Sequence, residues 1–134
     1  MEKAKILIAE DEGIVALDIR GRLERLGYAV PAVVASGEEA LKGAAETRPD
    51  LVLMDIRLSG PMDGIEAAEA IRGRLDIAVL YLTALSDDET MRRAEKTQPC
   101  GYITKPIDGQ ELRTAVERAL NRCPAKTSQE KGEA

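Results

Sequence analysis

Short apolar runs recur along the chain at positions 6–9, 29–34, 51–54, 77–82 and 102–103, about two dozen residues apart. They are continuous rather than alternating, the pattern of strands covered on both faces within a parallel sheet. The stretches between them carry helical spacing instead. Ile14, Leu17, Leu23 and Leu26 mark one apolar stripe, and Leu112, Val116, Ala119 and Leu120 mark another at i, i+4, i+7 and i+8. Such stripes predict amphipathic helices laid against the sheet. Capping-box patterns announce helix starts at Ser36-x-x-Glu39, Asp63-x-x-Glu66, Ser86-x-x-Glu89 and Asp108-x-x-Glu111, and Gly27 after Leu26 suits a helix C-terminus. A helix from about Asp87 to Gln98 shows only Met91 and Ala94 as a thin apolar stripe, so most of its surface is solvated.

Five strand and helix pairs in strict alternation predict an α/β fold, a doubly wound five-stranded parallel sheet with right-handed crossovers. Residues 1–122 form the domain on this reading. Residues 123–134, CPAKTSQEKGEA, have almost no apolar content and read as a polar tail or the start of a linker.

In open sheets of this kind ligands meet the carboxyl ends of the strands. The first strand ends in Glu10-Asp11, the third in Asp55, the fourth in Thr83 and the fifth in Lys105-Pro106, while the second ends at Ala35-Ser36. A bland second end fits a strand at the sheet's edge, hence the order 2-1-3-4-5. Each residue alone has an ordinary explanation: a turn aspartate, a solvated lysine, a β-forming threonine. Their joint placement at four strand ends argues for a site. Glu10, Asp11 and Asp55 gathered together would repel one another unless a cation neutralised them. An all-oxygen set suits Mg²⁺ rather than zinc, which favours His or Cys. Lys105 and Thr83 can bind phosphate oxygens. A carboxylate nucleophile, a Mg²⁺ site, a lysine and a threonine are the parts needed to move a phosphoryl group onto an aspartate.

Composition narrows the remaining choices. The 134 residues include no Trp, Phe or His and only three Tyr. Stacking on a flavin or a base and imidazole acid–base chemistry are therefore disfavoured. The net charge of -5, from 24 acidic and 19 basic residues, comes without a basic stripe, so direct nucleic-acid binding is not expected. No run approaches the roughly 20 apolar residues of a membrane span, and no signal-peptide pattern opens the chain, so a cytoplasmic protein is expected. Cys100 and Cys123 lack CxxC spacing and are given no role.

The segments ILIAEDE, LVLMDIRL, YLTA and GYITKP occur in the order and spacing of a known family. From about Lys5 to Arg122 the chain resembles the receiver domains of two-component response regulators, chemotaxis regulators among them. The resemblance implies a flavodoxin-like three-layer sandwich. It also implies a phosphorylatable switch that accepts a phosphoryl group from a sensor histidine kinase onto Asp55, with Mg²⁺ as cofactor. Glu10, Asp11 and Asp55 would hold the ion together with the carbonyl of Arg57. Thr83 would move toward the phosphoryl group, Lys105 would pair with it, and Tyr102 would turn inward as Thr83 vacates space. Small Ala84 would leave the acceptor approachable, Arg57 and Leu85 would tune hydrolysis, and the Lys105–Pro106 peptide would be cis.

The chain would phosphorylate and dephosphorylate itself rather than turn over an outside substrate. Its partners would be the kinase and a downstream output domain or effector, possibly within a longer chain. The fourth helix, fifth strand and last helix would offer a face for a possible homodimer. Cys100-Gly101, where dimeric transcription factors often carry an acidic pair, weighs mildly against that subgroup.

Two departures from the family pattern stand out. Glu10-Asp11 replaces the commoner Asp-Asp, which keeps the charge and lengthens one arm. The loop DIRLSGPMDG, from Asp55 to Gly64, is one residue longer than usual. Two other classes compete with the switch. A phosphohydrolase of the haloacid dehalogenase type would need an acid two residues after its nucleophile, where this chain has Arg57. A flavodoxin-like cofactor binder would need aromatic surfaces and a glycine-rich phosphate loop.

Overall fold

The computed structural model describes residues 3–84 and 87–122. Five parallel strands, β1 (Ile6–Ala9), β2 (Val33–Val34), β3 (Leu51–Asp55), β4 (Ala78–Thr83) and β5 (Tyr102–Thr104), form one sheet in the order β2-β1-β3-β4-β5. The helices are α1 (Gly13–Arg25), α2 (Gly37–Thr47), α3 (Gly64–Ala70), α4 (Asp88–Lys96) and α5 (Gly109–Arg122), and a π-helical turn, Ile71–Leu75, continues α3.

Each face of the sheet carries its own apolar cluster. Ala40 and Ala44 of α2, Ile65, Ala67 and Ala68 of α3 and Ala94 of α4 pack with Leu7, Val52, Met54, Val79 and Tyr81 on one face. Ala16, Ile19 and Leu23 of α1 and Leu112, Val116 and Ala119 of α5 pack with Ile6, Ile8, Leu53, Leu80 and Leu82 on the other. Strands β1, β3 and β4 are buried at every position, which is why their sequences are continuously apolar.

The apolar run at 29–34 yields a much shorter strand than its length predicts. The amides of Ile6, Ile8 and Glu10 donate to the carbonyls of Ala29, Ala32 and Val34. The acceptor spacing, three residues and then two, admits one extra residue beside Pro31, which has no N–H to give the ladder.

The stripe on α1 also differs from expectation. Ile14 and Leu17 are 87% and 66% exposed, and the helix buries Ala16 and Ile19 alongside the expected Leu23. Both sets satisfy helical spacing, and the way the chain enters α1 from β1 selects between them.

Cap chemistry follows the sequence closely at three of the four expected starts. Asp63 and Glu66 complete a reciprocal capping box at α3. Ser36 accepts from the amide of Glu39, whose carboxylate reaches past the cap to the amide of Ala35. Asp108 precedes α5 and accepts from the amide of Gln110. At α4 the N-cap is Asp87, accepting from Thr90, one residue beyond the expected Ser86, which lies outside the described residues. Gly27 takes φ of 100° after α1, a left-handed conformation that only glycine adopts without strain. Cys100, given no role from sequence, is disulfide-bonded, and Cys123 lies outside the described residues.

A buried phenol fastens α4 to the sheet. Tyr81 is fully buried, and its hydroxyl lies 2.7 Å from Thr97 Oγ1, which donates to the carbonyl of Ala94 at 2.6 Å. The single proton of Thr97 is committed to that carbonyl, so Tyr81 is the donor. Burial pushes its phenol up to about 12, which keeps the proton in place. Tyr81→Phe retains the buried ring and deletes the tie. A destabilisation of about 1 kcal/mol is expected, measured as a lower urea midpoint at unchanged m-value; an unchanged midpoint would refute the contribution.

Candidate functional site

Two strands, β1 and β3, deliver acids to the carboxyl edge of the sheet, while β4 delivers a hydroxyl and β5 leads to a lysine. Glu10 follows β1 directly and is held there by its amide donating to Val34 O at 2.9 Å. It is only 2% exposed, whereas Asp11, one residue on, faces solvent. Asp55 is the last residue of β3 and 5% exposed, and Thr83, the last of β4, is 4% exposed. One carboxylate oxygen from each of Glu10, Asp11 and Asp55 can be chosen so that all three lie within 4.8 Å of one another.

Lys105 enters this cluster from beyond β5. Its backbone amide donates to Thr83 O at 2.8 Å, which aligns the chain after the strand. Its ammonium donates to Asp55 Oδ2 at 2.9 Å and sits 2.8 Å from Glu10 Oε2. The second contact is a buried ion pair. The following Lys105–Pro106 peptide is cis.

Glu12, which sequence reading passed over, lies 3.5 Å from the same ammonium. Its signal was legible as the third acid of the run Glu10-Asp11-Glu12.

The electrostatics follow from burial. Glu10 is raised to about 7, first by its removal from water and then by the nearby negative charge of Asp55, against the lowering pull of Lys105. Burial alone would lower the Lys105 ammonium. The carboxylates of Glu10 and Asp55 outweigh it and hold that group above its ordinary value.

Arg57 contributes through its backbone. Its amide donates to Asp55 Oδ1 at 3.0 Å, while its side chain is exposed. Tyr102 stands apart from the acids, on β5, with its ring stacked on Tyr81 at a centroid distance of 5.9 Å and 23° between planes. Its hydroxyl is buried with no hydrogen-bond partner among the described residues. Ala84 is exposed after β4, and Leu85 lies outside the described residues.

This donor set fits a small hard cation. Octahedral coordination at about 2.1 Å places oxygens roughly 3–4 Å apart, close to the spacing already present. Glu10, its buried Oε2 paired with the Lys105 ammonium at 2.8 Å, belongs to this same three-acid set. No histidine is present in the chain to favour zinc.

Comparison with known proteins agrees with this geometry. The family model for the response regulator receiver domain matches residues 6–117. The transcriptional regulatory protein PdtaR of Mycobacterium tuberculosis is 34% identical over 118 residues, 88% of this chain and 57% of that protein. The transcriptional regulatory protein YvrH of Bacillus subtilis is 35% identical over 122 residues, 91% of this chain and 51% of that protein. The chain thus spans about half the length of the curated relatives it matches.

Among solved structures, the signal receiver domain of a modulated diguanylate cyclase from Desulfovibrio desulfuricans G20 superposes with a TM-score of 0.86 at 36% identity, covering 90% of this chain and 96% of that one. The receiver domain of the sensor histidine kinase PA1611 from Pseudomonas aeruginosa PAO1 has a TM-score of 0.80 at 29% identity, over 90% of this chain and 99% of that one, and it holds a magnesium ion in its active-site cleft.

With five strands in the order 2-1-3-4-5, an acid cluster suited to Mg²⁺ at their carboxyl ends and a family match over most of its length, the chain belongs to the response regulator receiver domains of two-component signalling.

Proposed function

We propose that Asp55 is the phosphoryl acceptor of this switch. The observation that carries the reading is the position of Asp55: a buried carboxylate at the centre of the sheet, 2.9 Å from an ammonium and within the three-acid cluster. In the transfer the bond between phosphorus and the donor's nitrogen or oxygen breaks as a bond from phosphorus to an Asp55 carboxylate oxygen forms, and the proton needed by the departing group comes from solvent.

Lys105 then exchanges its contact with the bare carboxylate for one with a phosphoryl oxygen. Thr83, at the end of the neighbouring strand, offers a second donor. Glu10, Asp11 and Asp55, with the carbonyl of Arg57, are the groups that would hold Mg²⁺, which when bound neutralises the charge developed on the transferred group. Ala84, small and exposed, leaves the approach to Asp55 open.

Phosphorylation adds close to two negative charges beside Lys105, a local change able to bias a two-state packing arrangement. Tyr102 is the residue we assign as reporter of that change, with Thr83. Its buried hydroxyl, without a hydrogen-bond partner among the described residues, gives it reason to move. The chain acts on itself, gaining and losing the phosphoryl group, with a sensor histidine kinase as donor and an output domain or effector as recipient of the signal. The face formed by α4, β5 and α5 is the proposed contact for a homodimer. Among the described residues no helix is long and apolar enough to cross a membrane, and we place the protein in the cytoplasm. A dehalogenase-type phosphohydrolase is disfavoured because Arg57, not an acid, stands two residues after Asp55.

The test is incubation with Mg²⁺ and acetyl phosphate followed by intact mass. The unmodified chain is expected to gain one phosphoryl group and Asp55→Asn none. An adduct on Asp55→Asn, or none on the unmodified chain, overturns the assignment.

A further inference from the structure

The loop after Asp55 is fastened at several places. Ile56 and Leu58 are buried, at 3% and 6% exposure, so the first part of the loop is held in the core. Ser59 then pairs with Ser36 in a parallel bridge, beyond the ends of β3 and β2. The strand between those two, β1, has already ended at Ala9, so the bridge passes over the point where Glu10 and Asp11 leave the sheet. Gly60 turns the chain at φ of 100°. Met62 closes onto the start of α2, so tightly that a Cβ on Gly37 would lie 2.5 Å from the Met62 carbonyl oxygen. Asp63 finally caps α3.

A segment tied down this often presents Ser59 at a defined place, although the residue itself is exposed. At that place its hydroxyl donates to Asp11 Oδ2 at 2.7 Å. Asp11 is the exposed member of the acid cluster, without the burial that holds Glu10 and Asp55. A solvated carboxylate on a short side chain samples several rotamers, and an ion it binds must bear the cost of fixing one. Partners that hydrogen-bond a liganding carboxylate remove that cost in advance.

We propose that Ser59 is a positioning residue for the divalent cation, acting through Asp11: its hydroxyl fixes one carboxylate oxygen and leaves the other turned to the ion. The inference rests on the Mg²⁺ site proposed above and adds to it a residue outside the three acids.

The experiment is calorimetric titration of Mg²⁺ into the unphosphorylated full chain at fixed pH and ionic strength. Ser59→Ala is expected to raise Kd about tenfold, the lower end of the effect of losing such a partner, and Ser59→Thr, which retains the hydroxyl, to restore most of the affinity. In an Asp11→Asn background Ser59→Ala is expected to add no further loss, which separates action through Asp11 from a general loosening of the loop. A Kd for Ser59→Ala equal to that of the unmodified chain overturns the role of Ser59 while leaving the metal site intact. Tighter binding by that variant overturns it as well, since the hydroxyl would then compete with the ion. Failure of the unmodified chain to bind Mg²⁺ overturns the site itself, and this inference with it.

Discussion

Gly64→Ala is expected to destabilise the chain by roughly 3 kcal/mol or more and to displace Asp55, the proposed acceptor, at the same time. Gly64 opens α3, and its amide donates to Ile56 O at 3.0 Å, folding the loop after Asp55 back on itself. A Cβ at this position would lie 1.9 Å from the carbonyl oxygen of Asp55, 2.9 Å from its carbonyl carbon and 3.0 Å from the Cα of Ile56. All three are backbone atoms, so no side chain can rotate out of the way. Either the start of α3 or the end of β3 must shift, and β3 is the fully buried central strand. Chemical denaturation measures the loss, and acetyl phosphate labelling should fall with it. A variant of native stability and labelling would show that the loop absorbs the methyl group without moving Asp55.

Lys105→Met is expected to cost about 2–3 kcal/mol in the ion-free chain near pH 8, because it leaves Glu10 and Asp55 facing each other without a cation. The side chains of Glu10, Asp55 and Lys105 are 0%, 7% and 16% exposed, so solvent does little to screen the loss. The penalty should be smaller near pH 5, and the sign follows from Glu10. Its carboxyl is raised from 4.5 to about 7 in the folded state, chiefly by burial, and Lys105 is one of the groups pulling it down. Removing the lysine raises it further.

A folded pKa above the unfolded one contributes stability that is fully present below about 4.5 and lost as pH rises through the folded value. The variant should therefore melt progressively lower between pH 5 and pH 8, more steeply than the unmodified chain. Added Mg²⁺ should recover part of the difference at the higher pH, where the acids are ionised and able to bind it. Thermal melts at the two pH values, with and without Mg²⁺, check all three expectations. Parallel pH profiles for the two proteins would mean that Glu10 and Lys105 are not coupled.

Most of the architecture could be read along the chain because it rests on local chemistry. Continuous apolar runs fit strands buried on both faces, and β1, β3 and β4 proved to be so. The boxes Asp63-x-x-Glu66 and Ser36-x-x-Glu39 start helices because their side chains satisfy amides close at hand. The misreadings were of another kind. Ile14 and Leu17 obey the helical period as well as Ala16 and Ile19 do, and nothing local says which stripe turns inward. The run at 29–34 is apolar enough for a long strand, and Pro31 interrupts it, leaving a bridge at Ala29 and a two-residue strand at Val33–Val34.

For the candidate site, the sequence by itself determined which residues stand at the strand ends: the acids, the lysine and the threonine each end or follow a strand. Strand ends in a parallel sheet share one edge, so their convergence follows from connectivity. Only the tertiary structure decided how those groups divide their roles. Burial, set by how far β1 and β3 run under the neighbouring loops, raised Glu10 and left Asp11 in water. The same packing brought Lys105 to both Glu10 and Asp55, added Glu12 to its partners, and laid Ser59 across Asp11. These are contacts between residues 45 or more positions apart, apart from Glu12's place beside Glu10, and their distances depend on the packing of whole elements rather than on any preference that a single residue carries.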